Sequence, residues 1–214
     1  MKKHSFYLAL GLLVTLASCT KKTQSPSSTG NNNNTNNGIT INSTPQFSGT
    51  INGTSYTYVN GSTYSDNVSS NKNIGGSGAT NNSATYSSSI LDNATYTKGI
   101  TINKGTVTFP LSSNMPDTTT FKTFFAVGTY PYSINYTNGI EVAWTDPNGN
   151  MYSTSLGAGT QTGSSFKIVS EQTTTILGYY NVKILANFSC TLYNSIGSSV
   201  QLTNGVFVGY FENN

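Results

Sequence analysis

From Ile39 onward, apolar and polar residues alternate along the chain with a period of two. The clearest run is Tyr179 to Tyr193, where Tyr180, Val182, Ile184, Ala186, Phe188, Cys190 and Leu192 take every second place. Asn181, Lys183, Asn187, Ser189 and Thr191 fall between them, with Leu185 the one apolar exception. Successive strand side chains point to opposite faces, so this run predicts one buried face, including Phe188, and one wet face. Weaker alternation predicts strands at 47–51, 56–59, 84–91, 106–111, 140–145, 151–156, 166–171 and 206–211. β-branched and aromatic residues fill these runs, as a pleated, half-buried surface prefers.

Turn chemistry agrees. Asn-Gly stands at 52–53, 60–61, 138–139, 148–149 and 204–205, and both residues tolerate the positive φ of tight hairpins. The strongest turn is Asp146-Pro147-Asn148-Gly149, expected to fold Trp144 back near Met151. Strands at this spacing without a long amphipathic helix indicate an all-β, antiparallel β-sandwich, with a closed β-barrel as the alternative. One segment departs from the pattern. Asp117 is a good N-cap, and Phe121, Phe124 and Phe125 recur at helical spacing, which predicts one short helix near residues 118–126 across an open end of the core.

The start of the chain reads differently. Lys2 and Lys3 precede an apolar run from Phe6 that ends in Leu16-Ala17-Ser18-Cys19. About a dozen helical residues reach only about 18 Å, against a hydrocarbon core of about 30 Å, so this is a signal's apolar region and not a membrane span. Leu, two small residues and Cys match the lipobox of bacterial lipoproteins, in which the Cys becomes the acylated (palmitate-type) first residue. Residues 1–18 are therefore expected to be a lipoprotein signal peptide and Cys19 the lipidation site. Residues 19–38 hold no apolar residue after Cys19 and are rich in Asn, Ser and Thr, so nothing offsets the entropy of ordering them. They read as a tether with a root-mean-square span of about 24 Å. The rest, 39–214, is long enough for a single all-β domain.

Composition then narrows the function. Without the signal, eight lysines against seven acids leave a charge of +1, and no arginine occurs. A basic, arginine-bearing stripe is what nucleic-acid binding needs, so that class is set aside. The one histidine, His4, belongs to the signal. Cys190 therefore has no disulfide partner beyond Cys19 and no imidazole to activate it, and on the apolar face of its strand it reads as a small core residue. No cofactor is implied.

Three clusters carry candidate chemistry. Asp146, Asn148 and Asn150 echo the start of a calcium loop, but Met151 and Gly157 stand where that loop needs Gly and Glu, so a side-chain-stabilised turn is the better reading and no metal site is expected. Asp66, Asp92, Glu141 and Asp146 fall in turn-like or strand-edge sequence and read as solvated, and no spacing singles out a glycosidase pair. Trp144, with Tyr130, Tyr132, Tyr136 and Tyr152, supports two readings. Aromatic faces stack on sugar rings, so Trp144, Tyr152 and Tyr132 are the candidate glycan contacts. Alternatively, Trp144 shares the parity of Ile140 and Val142 and points into the core.

Asn138-Gly139-Ile140-Glu141-Val142, Thr145-Asp146-Pro147-Asn148-Gly149, Ser153-Thr154-Ser155, Gly163-Ser164-Ser165-Phe166, Phe188-Ser189-Cys190-Thr191-Leu192-Tyr193, Leu202-Thr203-Asn204-Gly205 and Gly209-Tyr210-Phe211 follow in an order that resembles an uncharacterised family of Bacteroidota cell-envelope lipoproteins, a domain of unknown function. The resemblance spans about residues 45–212. It implies a lipid-anchored protein of the cell outer membrane and brings no activity with it. Thr20 and the Lys21-Lys22 pair favour the periplasmic leaflet over the cell surface. Envelope proteins of such bacteria take O-glycans at Asp followed by Ser or Thr, and of the seven acids only Asp117 precedes a hydroxyl residue, which makes Thr118 the candidate O-glycosylation site. The sequence thus points to a non-enzymatic, membrane-anchored β-domain with an interaction or structural role, its partner an envelope protein or a neutral glycan. A glycan-binding module is the alternative reading, and a hydrolase a weaker one.

Overall fold

In the computed structural model, residues 38–75, 78–133, 139–156 and 160–214 are described. The signal, Cys19, nearly all of the tether, Tyr136 and Asn138 lie outside them. The described residues form eleven strands and one helix: β1 (Gln46–Ile51), β2 (Thr54–Val59), β3 (Tyr64–Asn73), β4 (Asn82–Asp92), β5 (Gly99–Phe109), α1 (Thr118–Phe124), β6 (Gly128–Tyr130), β7 (Gly139–Thr145), β8 (Met151–Ser153), β9 (Ser165–Ile176), β10 (Tyr179–Tyr193) and β11 (Ser199–Asn213). All strand pairings are antiparallel, and one strongly curled sheet contains them all.

The curl makes two layers. In one, the order is β2-β1-β11-β10-β9-β6, and in the other β8-β7-β5-β4-β3. The layers join where Tyr193 at the end of β10 pairs with Ser153 of β8. β2 and β3 end the path without pairing along their length, so the sheet is open and sandwich-like, and the closed barrel is not formed. Across the core β4 comes close to β11, where a Cβ added to Gly209 would lie 2.5 Å from the Ser88 hydroxyl. Phe47, Tyr86, Ile90, Ile100, Ile102, Phe166, Phe207 and Phe211 fill the space between the layers with almost no exposed surface.

Helix α1 closes the gap at the end where β10 begins and β11 finishes. The Asp117 carboxylate caps it, accepting from the N–H groups of Thr119 and Thr120 at 2.9 Å. Its Phe121 meets Tyr86 edge-on at 4.8 Å, and Phe125, just past its last turn, lies 4.4 Å from Phe211. The three-four spacing of phenylalanines thus bridges both layers.

Four expectations need correction. The second face of β10 is not wet over its first half, because Asn181, Lys183 and Leu185 are buried. There Ile39 and Ile41 join Leu185, Val206, Val208 and Val169 in a small outer cluster, and the Lys183 ammonium donates to the Ser43 carbonyl at 2.7 Å. The chain ahead of β1 is thus a strap across the sheet, and Leu185 breaks the alternation to meet it. Asn204-Gly205 makes no hairpin but a bulge within β11. Asn204 adopts φ of 53°, and Gly205 leaves room for the Phe188 ring, whose Cε2 would sit 2.9 Å from an added Cβ. β8 stops at Ser153, because Thr154 replaces strand pairing by holding Val142 from both sides, its N–H at 3.0 Å and its hydroxyl at 3.1 Å. Trp144 opposes Tyr152, and it is Thr145 that pairs with Met151, since the hairpin register places the turn one residue further on.

Candidate functional site

Trp144 lies inside the core, as its parity with Ile140 and Val142 required, and is 5% exposed. Its indole N–H donates to the Tyr58 hydroxyl at 3.0 Å, and its ring contacts Tyr152 and Tyr56. Burial pushes the Tyr58 phenol up to about 12, outweighing the indole hydrogen bond, which lowers it. Tyr132 belongs to a different place. Its hydroxyl sits between the carbonyls of Ser165 at 3.0 Å and Ser189 at 2.9 Å, bracing β9 against β10, and burial raises its pKa. The three candidate glycan contacts therefore share no surface, and Trp144 is unavailable as a platform. Cys190 packs beside Tyr132 as a buried free thiol, pushed up to about 12 by burial. A thiol in that state is a core side chain.

Several carboxylates are occupied locally. Asp146 holds its turn together, its Oδ1 accepting from the N–H groups of Asn148 and Asn150 at 2.8 Å and its Oδ2 from the Asn150 amide at 2.9 Å. Burial works against its charge, yet these donors outweigh it and hold the carboxyl below the usual range. Asp92 gathers the N–H groups of Thr95, Thr97 and Lys98 around its loop, and these, Lys98 foremost, lower its pKa to about 2. The Asp117 carboxyl is lowered in the same way by the start of α1, where Thr118 stands exposed beside it. The one ion pair among the described residues joins Lys122 to Glu171 at 3.6 Å.

The expectation of solvated acids fails at Asp146, 9% exposed, and most of all at Glu141, 3% exposed. It stands on the outward side of β7, where the chain leaving β8 covers it. The hydroxyls of Ser153 and Ser155 donate to one oxygen, and the Asn103 amide donates to the other at 2.7 Å. Asn103 in turn accepts from Ser87, its partner across β4 and β5. A polar row therefore crosses four strands, Ser87 to Asn103 to Glu141 to Ser153. Sequence reasoning missed it because the strand at Gly99–Phe109 was recognised only from residue 106, which hid the outward parity of Asn103. Beyond that row the same outward face carries Asn67, Ser69, Asn71 and Thr85, all at least partly exposed, and a depression of about 400 Å³ is lined by Asn71, Thr85, Ser87 and Asn103. No charge lines that depression. It offers donors and acceptors alone, which suits a hydroxyl-rich neutral ligand.

A second missed residue is Lys104. It points inward from β5, 4% exposed, with its ammonium 3.8 Å from the centre of the Tyr130 ring and 4.2 Å from that of Phe124. Burial lowers its pKa to about 8. A larger groove of about 760 Å³ runs beside α1, lined by Ser113–Thr118, Gly178–Tyr180 and Asn213. Among the described residues no cluster of three or more His, Cys, Asp or Glu is arranged to hold a metal ion. No family model, curated protein or solved structure matches the chain.

Proposed function

We propose that this chain is a lipid-anchored, non-catalytic domain of the bacterial outer membrane, tethered through Cys19 on the periplasmic leaflet, with an interaction or structural role in the cell envelope. The observation that carries the interaction role is the uncharged face of β3, β4 and β5. Asn71, Thr85, Ser87 and Asn103 line a depression there, and a surface of amides and hydroxyls recognises partners by hydrogen bonding. The non-catalytic reading is supported by the acids: Asp92, Asp117 and Asp146 are committed to backbone amides, Glu141 to serines and an asparagine, and Glu171 to Lys122. Thr118, exposed next to Asp117, stays the proposed O-glycan acceptor.

The anchor is tested by Cys19→Ala. Each buried CH₂ of an acyl chain contributes about 0.8 kcal/mol, so the native protein is expected wholly in the membrane fraction and the variant wholly in the soluble one. A Cys19→Ala protein that still sediments with outer membranes sinks the anchor. A glycan partner is the second reading, and the uncharged β3–β5 face supports it better than the surroundings of the buried Trp144 do. Envelope oligosaccharides are expected to shift the amide resonances of Asn71, Thr85 and Ser87, with Trp144 fluorescence unchanged because its ring is buried. Shifts confined to other surfaces would refute that placement.

A further inference from the structure

The hairpin between β9 and β10 has a tip that turn chemistry does not explain. Leu177 and Gly178 adopt φ of 51° and 90°, both positive, as a two-residue type I′ turn demands. The same turn joins β1 to β2, where Asn52 and Gly53 take φ of 48° and 81°. There the first position holds Asn, which tolerates the left-handed region. At the β9–β10 tip it holds Leu, whose side chain disfavours that conformation and is 94% exposed. Leucine thus gains no burial within the fold and costs backbone strain. Its neighbours extend the apolar surface: Ile176 and Tyr179 are exposed on either side, and Met115 lies exposed in the groove that Gly178 and Tyr179 line. From Gln172 to Val182 the hairpin carries no charged residue. The nearest acid in the groove, Asp117, is drawn down onto the first turn of α1.

We propose that this tip seats in the interfacial layer of the bilayer to which Cys19 tethers the domain. The inference rests on the anchored reading above. On that reading only about twenty residues separate the lipid on Cys19 from the domain, which keeps the domain close to the bilayer. An uncharged tip bears no ionic desolvation on entering the headgroup region, and a tyrosine flanking a leucine suits that boundary. The unpaired peptide groups of the turn confine the contact to the interface, since backbone in hydrocarbon must be hydrogen-bonded. Another exposed apolar tip, Ile196, makes a contrast: it lies beyond the far end of β10, and its chain neighbours Asn194, Ser195, Gly197 and Ser198 offer no apolar side chain to enter with it.

The test uses the mature chain from Cys19 with a maleimide lipid coupled to that cysteine, the buried Cys190 being out of reach. It is bound to vesicles of phosphatidylethanolamine and phosphatidylglycerol containing dibrominated phosphatidylcholine. Leu177→Trp is expected to lose emission on these vesicles relative to unbrominated ones, while Ile196→Trp and the native Trp144 do not. Separately, Leu177→Asn should unfold at a higher urea concentration than the native chain. Equal quenching at positions 177 and 196, or none at 177, overturns the proposal, as does a lower urea midpoint for Leu177→Asn, which would mean the leucine serves the fold. Loss of self-association in Leu177→Asn without vesicles would instead assign the tip to a second copy and overturn it too. The coupled lipid holds the protein on the vesicle whatever cells do to Cys19, so these outcomes are independent of the Cys19→Ala fractionation.

Discussion

Phe188→Ala is expected to destabilise the domain by about 3–5 kcal/mol, the cost of emptying an aromatic site in a packed core. Phe188 sits between the layers with Phe166 at 5.4 Å and Phe47 at 6.1 Å, and its ring edge lies against Gly205 at the bulge of β11. Strands on both sides of β10 are pinned there, so little relaxation can refill the cavity. Asn187 beside it points to the opposite face, where both atoms of its amide are buried without a hydrogen-bond partner. A buried, unpaired amide is a cost that truncation removes. Asn187→Ala should therefore leave stability within about 1 kcal/mol of the native chain, or raise it. Urea melts decide the pair: equal midpoints would show that the two faces of β10 are assigned wrongly.

The contrast between these neighbours shows what alternation could reveal. The span of β10 follows from its sequence, because its inward positions are all apolar and its partners on both sides are long. β3 did not show itself, since Tyr64 and Val68 are its only apolar residues. It forms because ten of its residues pair with β4, and an edge strand can leave its outer face polar without loss. The helix was readable for the opposite reason: its cap and its three phenylalanines are local signals. What no local pattern could show is which outward faces become covered. Lys183 reads as a solvated residue until the strap from Ile39 to Ser43 lies over it, and Glu141 until the chain after β8 folds back. Both depend on segments meeting across the fold. The candidate site suffered most from this. Aromatic residues advertise themselves in a sequence, and here they went into the core, whereas the Asn and Ser row that faces outward has no distinctive spacing.

Lys104→Met is expected to stabilise the protein at pH 7 by about 3 kcal/mol, with the gain fading as the pH rises. The lysine lies under α1, where the rings of Tyr130 and Phe124 meet its ammonium and no carboxylate among the described residues forms an ion pair with it. Burial lowers its pKa from an ordinary 10.5 to about 8, so the ring contacts only partly offset the lost hydration. Between about pH 8 and 10.5 the unfolded chain binds a proton at this residue that the folded chain does not, and stability must rise with pH across that window. Below it both states are protonated and the folded one bears the whole penalty, about 3 kcal/mol at about 1.4 kcal/mol per pKa unit. Methionine keeps the length of the side chain and can rest its sulfur against the same rings. Comparing the two urea midpoints at each pH cancels what the rest of the chain contributes to both proteins and leaves the effect of Lys104 on its cage. That difference should be largest at and below pH 7 and close to zero near pH 10.5. A loss of stability in the variant, or a gain that ignores pH, would mean that the aromatic cage sustains the charge unaided.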